Sequence, residues 1–216
     1  MLQNDISGGS HAARDRIITA ASALFIERGY QATDTLSIAT RAHVSKRDLY
    51  AQFGSKLAML GACIADGAAR MEVPLQAPPP RDRADLLATL IAFGANLLDE
   101  QSRPDMLAIW RLAITEAPRS PDLVETLTDA EETAENAVAA LVSDAQSASL
   151  IGAGDSHDIA RAFLALLRGG LFPVMLLRAA PPPGPNEVER RARRAAEALL
   201  ALYPAGQTRV VSTVTA

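Results

Sequence analysis

Apolar residues recur along this chain at helical spacing, and proline and glycine punctuate them. Ile17, Ala21, Leu24 and Phe25 share one face of a first helix over 12–28, and Gly29 ends it as a C-terminal cap. Two short helical segments follow at 35–42 and 46–52. Ser55 is placed to cap a fourth helix that runs through Leu57, Leu60, Ile64 and Ala68 towards Met71. The proline-rich stretch 74–80 stops it. Helices are expected next over 82–100, 104–117 and 122–148, each opening at proline or an acidic residue, as the positive end of a helix favours. After a turn at 150–154, Asp155 or Ser156 caps a penultimate helix reaching Arg178, kinked at Pro173. Pro181 to Pro185 break the chain before a last helix over 186–203. The pattern predicts nine helices and no sheet, because Val210, Val211 and Val214 are too few and too terminal to found one.

The 216 residues are 49% hydrophobic, which supports a real core and excludes wholesale disorder. A single cysteine, Cys63, excludes a disulfide framework within the chain and any cysteine-only metal cluster, and reads as a small buried hydrophobe. The most apolar window, 162–177, is interrupted by Arg168, Gly169, Gly170 and Pro173, so a buried helix fits it better than a membrane span. The opening residues are polar and glycine-bearing, unlike a secretory signal, and a cytoplasmic location is expected. The net charge of −4 argues against a protein that binds polyanions over its whole surface. Its distribution is uneven. Residues 1–56 carry seven basic side chains against five acidic ones, which leaves −6 for the rest. Only the head is suited to a polyanion.

The stretch 33–56 carries the functional signal. Ile38, Ala39 and Ala42 line one side of a short helix, His43 marks a tight turn, Val44 plugs the angle, and Leu49 and Phe53 sit four apart on the next helix. That is the pattern of a helix-turn-helix. On the second helix Lys46, Arg47, Asp48, Tyr50, Ala51 and Gln52 remain exposed. Lysine and arginine supply charge for phosphate, and glutamine can pair with adenine in the major groove.

From Arg14 to Leu60 the chain resembles the DNA-binding domain of the TetR/AcrR family of bacterial transcription regulators. The likeness rests on Ile17, Ala21, Leu24-Phe25, Gly29-Tyr30, Thr33, Ile38-Ala39, Val44-Ser45-Lys46, Leu49-Tyr50, Phe53 and Ser55-Lys56, in that order. The helix count and length fit as well. The resemblance implies an all-α fold with residues 1–11 a flexible lead, 12–56 the DNA-binding domain, 57–204 a ligand-sensing and dimerisation domain, and 205–216 a flexible tail. It implies that Tyr50, Lys56, Thr33 and Thr35 meet backbone phosphate. Positions 46, 47, 48, 51 and 52, with the helix-opening Ser45, face the groove. Phosphate contacts position such a protein and base contacts specify it.

Two departures stand out. The turn residue, usually glycine, is His43, which tolerates a positive φ better than most residues. Asp48 replaces a threonine. It either accepts from a cytosine amino group or completes a capping box with Ser45, and the three-residue spacing favours the box.

The resemblance further implies a homodimer through the last two helices, a double-stranded, near-palindromic DNA operator, and release by a small molecule. No cofactor, metal or membrane partner is implied. The ligand is expected near Phe93, Met106, Trp110 and Phe172, although each of these would equally well fill a core. A regulator answering to a partner protein, and a helical enzyme with an incidental helix-turn-helix, are the rival readings. Against the enzyme, there is no Glu-x-x-His pair for a di-metal bundle, no nucleophile constellation and no phosphate-cradling glycine loop. His11 and His157 stand apart from one another. The run Arg190, Arg191, Arg193 and Arg194 lies beside Glu187, Glu189 and Glu197 and reads as a salt-bridged surface. The acidic segment 125–135 reads as a solvated face.

Overall fold

The computed structural model describes residues 4–71 and 78–206. Among them are ten α-helices, one 3-10 turn and no strand. They are α1 (Asn4–Arg28), α2 (Thr35–Ala42), α3 (Lys46–Phe53), α4 (Lys56–Met71), α5 (Arg83–Ser102), α6 (Pro104–Glu116), the turn Ala117–Arg119, α7 (Pro121–Ser147), α8 (Ser156–Arg168), α9 (Leu171–Leu176) and α10 (Pro185–Leu202).

The helix predicted from 155 to 178 is two helices. Gly169 takes a positive φ of 49° and stops α8, so the break falls there and not at Pro173, which sits inside α9. This division yields the tenth helix. The first helix starts at Asn4 and not near residue 12; Gly8, Gly9 and Ser10 are weak helix formers and give no apolar period to read. The caps expected at Ser55 and Asp155 are both formed. Ser55 Oγ accepts from the Ala58 N–H at 3.0 Å, and Asp155 from the Asp158 N–H at 2.9 Å. The end of the stretch 74–80 that reaches residue 77 and the tail beyond 206 lie outside the described residues.

The chain divides into two compact units: residues 1–67 with 103–130, and residues 68–102 with 131–216. In the first, Ile17, Ala21, Leu24 and Phe25 of α1 are buried, as are Ile38 and Ala39 of α2, Leu49 of α3, and Met59, Leu60 and Cys63 of α4. Burying a side chain of this size stabilises the fold by about 1.5–3 kcal/mol relative to exposure. The α1 face read from the sequence is therefore the face that holds the head together. Met106, Ile109 and Trp110 of α6 are also buried.

The second unit has its own core of Leu86, Leu90, Phe93, Leu97, Val138, Val142, Ile159, Phe163, Leu167 and Leu199. Gly94 lets α5 approach its neighbours: a Cβ there would stand 3.1 Å from Leu167 Cδ1 and 3.3 Å from Ala192 Cβ. Arg83 closes one end of this bundle, donating to the carbonyls of Leu150 at 2.9 Å and Leu200 at 2.7 Å. Glu131 and Glu135 of the acidic segment pair with Arg168 and Arg161 of α8, so that segment is solvated only in part. Arg190, Arg191 and Arg193 pair with Glu187 and Glu189, which makes this run the salt-bridged surface expected of it.

Candidate nucleic-acid interface

The head presents α3 by capping both ends of α2 and the start of α3. Asp34 caps α2, accepting from the Ser37 N–H at 2.8 Å and the Ser37 hydroxyl at 2.7 Å. These bonds, the backbone one foremost, hold its carboxyl below the ordinary range. The Asp-x-x-Ser spacing is the signal of this cap in the sequence. At the other end of α2, His43 stands in the left-handed region with φ 54° and ψ 46°. Its N–H reaches the Thr40 carbonyl at 3.2 Å, and the Val44 N–H reaches Ala39 at 3.0 Å. This pair of bonds is a Schellman motif, and it turns the chain directly into α3.

Ser45 then caps α3. Its Oγ accepts from the Asp48 N–H at 3.0 Å and donates to Asp48 Oδ2 at 2.7 Å. Asp48 is thereby held at the helix end, as the spacing favoured. The reciprocal half differs from a standard capping box, because the carboxylate takes the serine hydroxyl and not a backbone N–H. Leu49 is fully buried, and opposite it Lys46, Arg47, Asp48, Tyr50 and Ala51 are exposed. Gln52 is half-buried, with its Oε1 enclosed and lacking a hydrogen-bond partner among the described residues. It stands nearer the body of the head than its predicted place in the groove required.

Tyr50 and Thr35 come together from α3 and α2, their hydroxyls 3.1 Å apart. Lys46 Nζ lies 5.8 Å from the Tyr50 ring centre. Lys56 reaches back to donate to the carbonyls of Tyr30 at 2.7 Å and Thr33 at 2.9 Å, with its ammonium 4.3 Å from the Tyr30 ring centre. Two of its three N–H donors are thus spent inside the head. Burial pushes the Tyr30 phenol up from its ordinary range. Thr33 requires a correction. It is 1% exposed, and its hydroxyl serves the carbonyls of Leu24 at 3.0 Å and Gly29 at 2.8 Å. Its side chain locks the end of α1 and has no surface to offer phosphate.

Not every basic side chain of the head faces outward unengaged. Arg41 pairs with Glu27 at 2.8 Å, and this partner holds the Glu27 carboxyl below its ordinary range. Arg16 donates from Nε to the Ala42 carbonyl at 3.1 Å. Arg14 stacks its guanidinium 5.5 Å from the Phe53 ring centre.

The expected sensor residues fall in different units. Phe93 and Phe172 belong to the second, Met106 and Trp110 to the first. Phe93 is fully buried, its ring centre 6.3 Å from that of Phe163, and Phe172 is half-buried. Among the described residues no group of three or more His, Cys, Asp or Glu side chains gathers to hold a metal ion, and no helix is long and apolar enough to cross a membrane.

A capped α3 carrying exposed Lys46, Arg47 and Tyr50 on an all-helical chain defines a helix-turn-helix regulator of transcription. Comparison with known proteins gives the family. Residues 17–63 match the model "Bacterial regulatory proteins, tetR family", and residues 88–205 match "AefR-like transcriptional repressor, C-terminal domain". The chain belongs to the TetR family of transcriptional regulators, with an N-terminal helix-turn-helix DNA-binding domain. A putative TetR-family regulator from Mesorhizobium loti has a similar structure, with a TM-score of 0.75 and 25% identity over 90% of this chain and 98% of its own. A TetR regulator from Agrobacterium tumefaciens gives 0.74 and 26% over 89% and 95%. The flavonoid-responsive regulator FrrA gives 0.67 and 27% over 88% and 96%. The uncharacterized HTH-type regulator YvkB of Bacillus subtilis is 23% identical over 71% of this chain and 78% of its own.

Proposed function

We propose that the protein is a repressor that binds a near-palindromic operator as a homodimer in the cytoplasm and leaves it when a small molecule binds. The observation that carries the DNA-reading part is the outward face of α3. Its far side, at Leu49, is consumed by the head's core, while Lys46, Arg47, Tyr50 and Ala51 face solvent. In this reading Arg47 and Ala51 meet base edges, with Lys46 beside them. Gln52 joins them by turning its side chain outward. Tyr50 and Thr35, already joined by their hydroxyls, share a phosphate, and the remaining N–H of Lys56 takes another. Ser45 and Asp48 fix the helix end, and Thr33 supports the loop from within.

Apolar side chains left exposed on the second unit, Leu166 of α8 at 43% and Leu202 of α10 at 54%, support dimerisation through these helices. Two heads about 34–36 Å apart would then read successive major grooves. Repression is supported by the AefR-like repressor domain, and response to a small molecule by the likeness to FrrA. Phe93, Met106, Trp110 and Phe172 are proposed sensor positions. Phe172 comes first because Phe93 is already enclosed by core. No covalent chemistry is part of this function.

The test is fluorescence anisotropy of the full chain on DNA from upstream of its own gene, beside shuffled DNA, at two salt concentrations. Site-selective binding by a dimer in sedimentation equilibrium is expected. Equal, weak binding to both duplexes would count against the proposal.

A further inference from the structure

His43 holds a position where the backbone favours glycine, yet it carries a side chain, and that side chain is exposed. Its backbone N–H is used by the Schellman turn; its imidazole is not needed for the turn. It opens onto a cleft of about 400 Å³ lined also by Arg16, Ser45, Asp48, Ala51 and Gln52. Arg16 is pinned there by its Nε bond to Ala42, the residue directly before His43. That bond uses one of the five N–H donors of a guanidinium, and the fork geometry of the others suits two oxygens of one phosphate. The cleft also holds an acid, Asp48, whose Oδ2 is bonded to the Ser45 hydroxyl. One positive arginine and one imidazole beside a single carboxylate fit a singly charged phosphodiester better than a more highly charged phosphate monoester.

The position of the cleft gives it a use. Residues 45, 48 and 52 follow one another at helical spacing along one flank of α3. Lys46 and Tyr50, four apart, lie along the other flank, where Tyr50 meets Thr35. A helix seated in a major groove has a sugar-phosphate strand on each side. Tyr50, Thr35 and Lys56 serve one of them.

We propose that Arg16 and His43 form a second phosphodiester site, which grips the opposite strand and makes the turn residue a DNA-positioning residue. The proposal rests on the DNA-reading function above and assigns the cleft to that same interface.

The experiment uses the full chain and a duplex selected from a random library by the wild type. His43→Gly removes the imidazole while giving the left-handed turn its preferred residue. Arg16→Gln removes the charge while keeping a donor for the Ala42 carbonyl. Each variant should weaken binding about tenfold per head, the size of a charge-assisted hydrogen bond. Arg16→Gln should also flatten the dependence of log affinity on log salt by about one unit per head. His43→Gly should melt no lower than the wild type. Ethylation interference should show one phosphate per half-site whose modification weakens the wild type but neither variant. Wild-type affinity in both variants, or loss of affinity with an unchanged ethylation pattern, would overturn the site. A wild type that selects no sequence would instead overturn the parent reading and this one with it.

Discussion

Thr33→Val separates a structural threonine from a phosphate-binding one. The substitution keeps the volume and replaces a hydroxyl with a methyl at a position 1% exposed. The hydroxyl's single proton lies within reach of two carbonyls, Leu24 at 3.0 Å and Gly29 at 2.8 Å, and the substitution withdraws it from both. A net hydrogen bond contributes about 1 kcal/mol, and leaving a buried carbonyl short of a donor adds to the loss, so about 1–2 kcal/mol is expected. For a chain of this length that lowers the melting temperature by about 2–8 °C. The assay pairs thermal unfolding by circular dichroism with operator binding at several salt concentrations below the transition. Stability should fall while operator affinity below the transition stays at its wild-type value. An unchanged melting temperature with affinity lowered alike for every duplex would return Thr33 to the phosphate contacts and refute the reasoning.

Other consequences are equally concrete. Lys56→Ala should lower both stability and the salt slope, because its ammonium binds two carbonyls and has one N–H left for phosphate; loss of slope alone, with stability intact, would contradict the bonds to Tyr30 and Thr33. Ser45→Ala removes the cap of α3 and should cost about 1 kcal/mol in chemical denaturation. Arg83→Ala strips the Leu150 and Leu200 carbonyls of a shared partner and should cost about 1–3 kcal/mol, with DNA affinity below the transition unaffected. Asp34 has a folded pKa below its ordinary 3.8, so the unfolded chain binds more protons between those two values. Its stabilising effect is therefore full above that range and lost as pH falls through the folded pKa, and Asp34→Asn should flatten this part of an acid denaturation curve.

The head was largely legible in the sequence because local rules govern it. The apolar period of α1 and the cap at Ser45 are each set by residues a few positions apart. The left-handed turn at His43 is legible for the same reason. What escaped was tertiary. Nothing near Thr33 in the sequence says that its hydroxyl will lie under the end of α1, and a lysine resembling a phosphate ligand gives no sign that two carbonyls already hold it. Gln52 looks exposed by helical spacing, but its amide lies in the margin between α3 and the rest of the head. The split between α8 and α9 turned on choosing between Gly169-Gly170 and Pro173 as the breaker. A proline in the first turn of a helix is tolerated, so the glycines prevailed. Bulk, the signal at Phe93, Met106, Trp110 and Phe172, does not distinguish a pocket wall from a core residue such as Phe93.

The central claim is that the outward face of α3 reads DNA sequence. Selection from a random duplex library by the full chain and by Arg47→Ala, with both pools sequenced, tests it most directly. A near-palindromic motif is expected for the wild type, with a loss of preference at one symmetric pair of positions for the variant, the others being kept. Identical motifs from both proteins, or no motif from either, would contradict it.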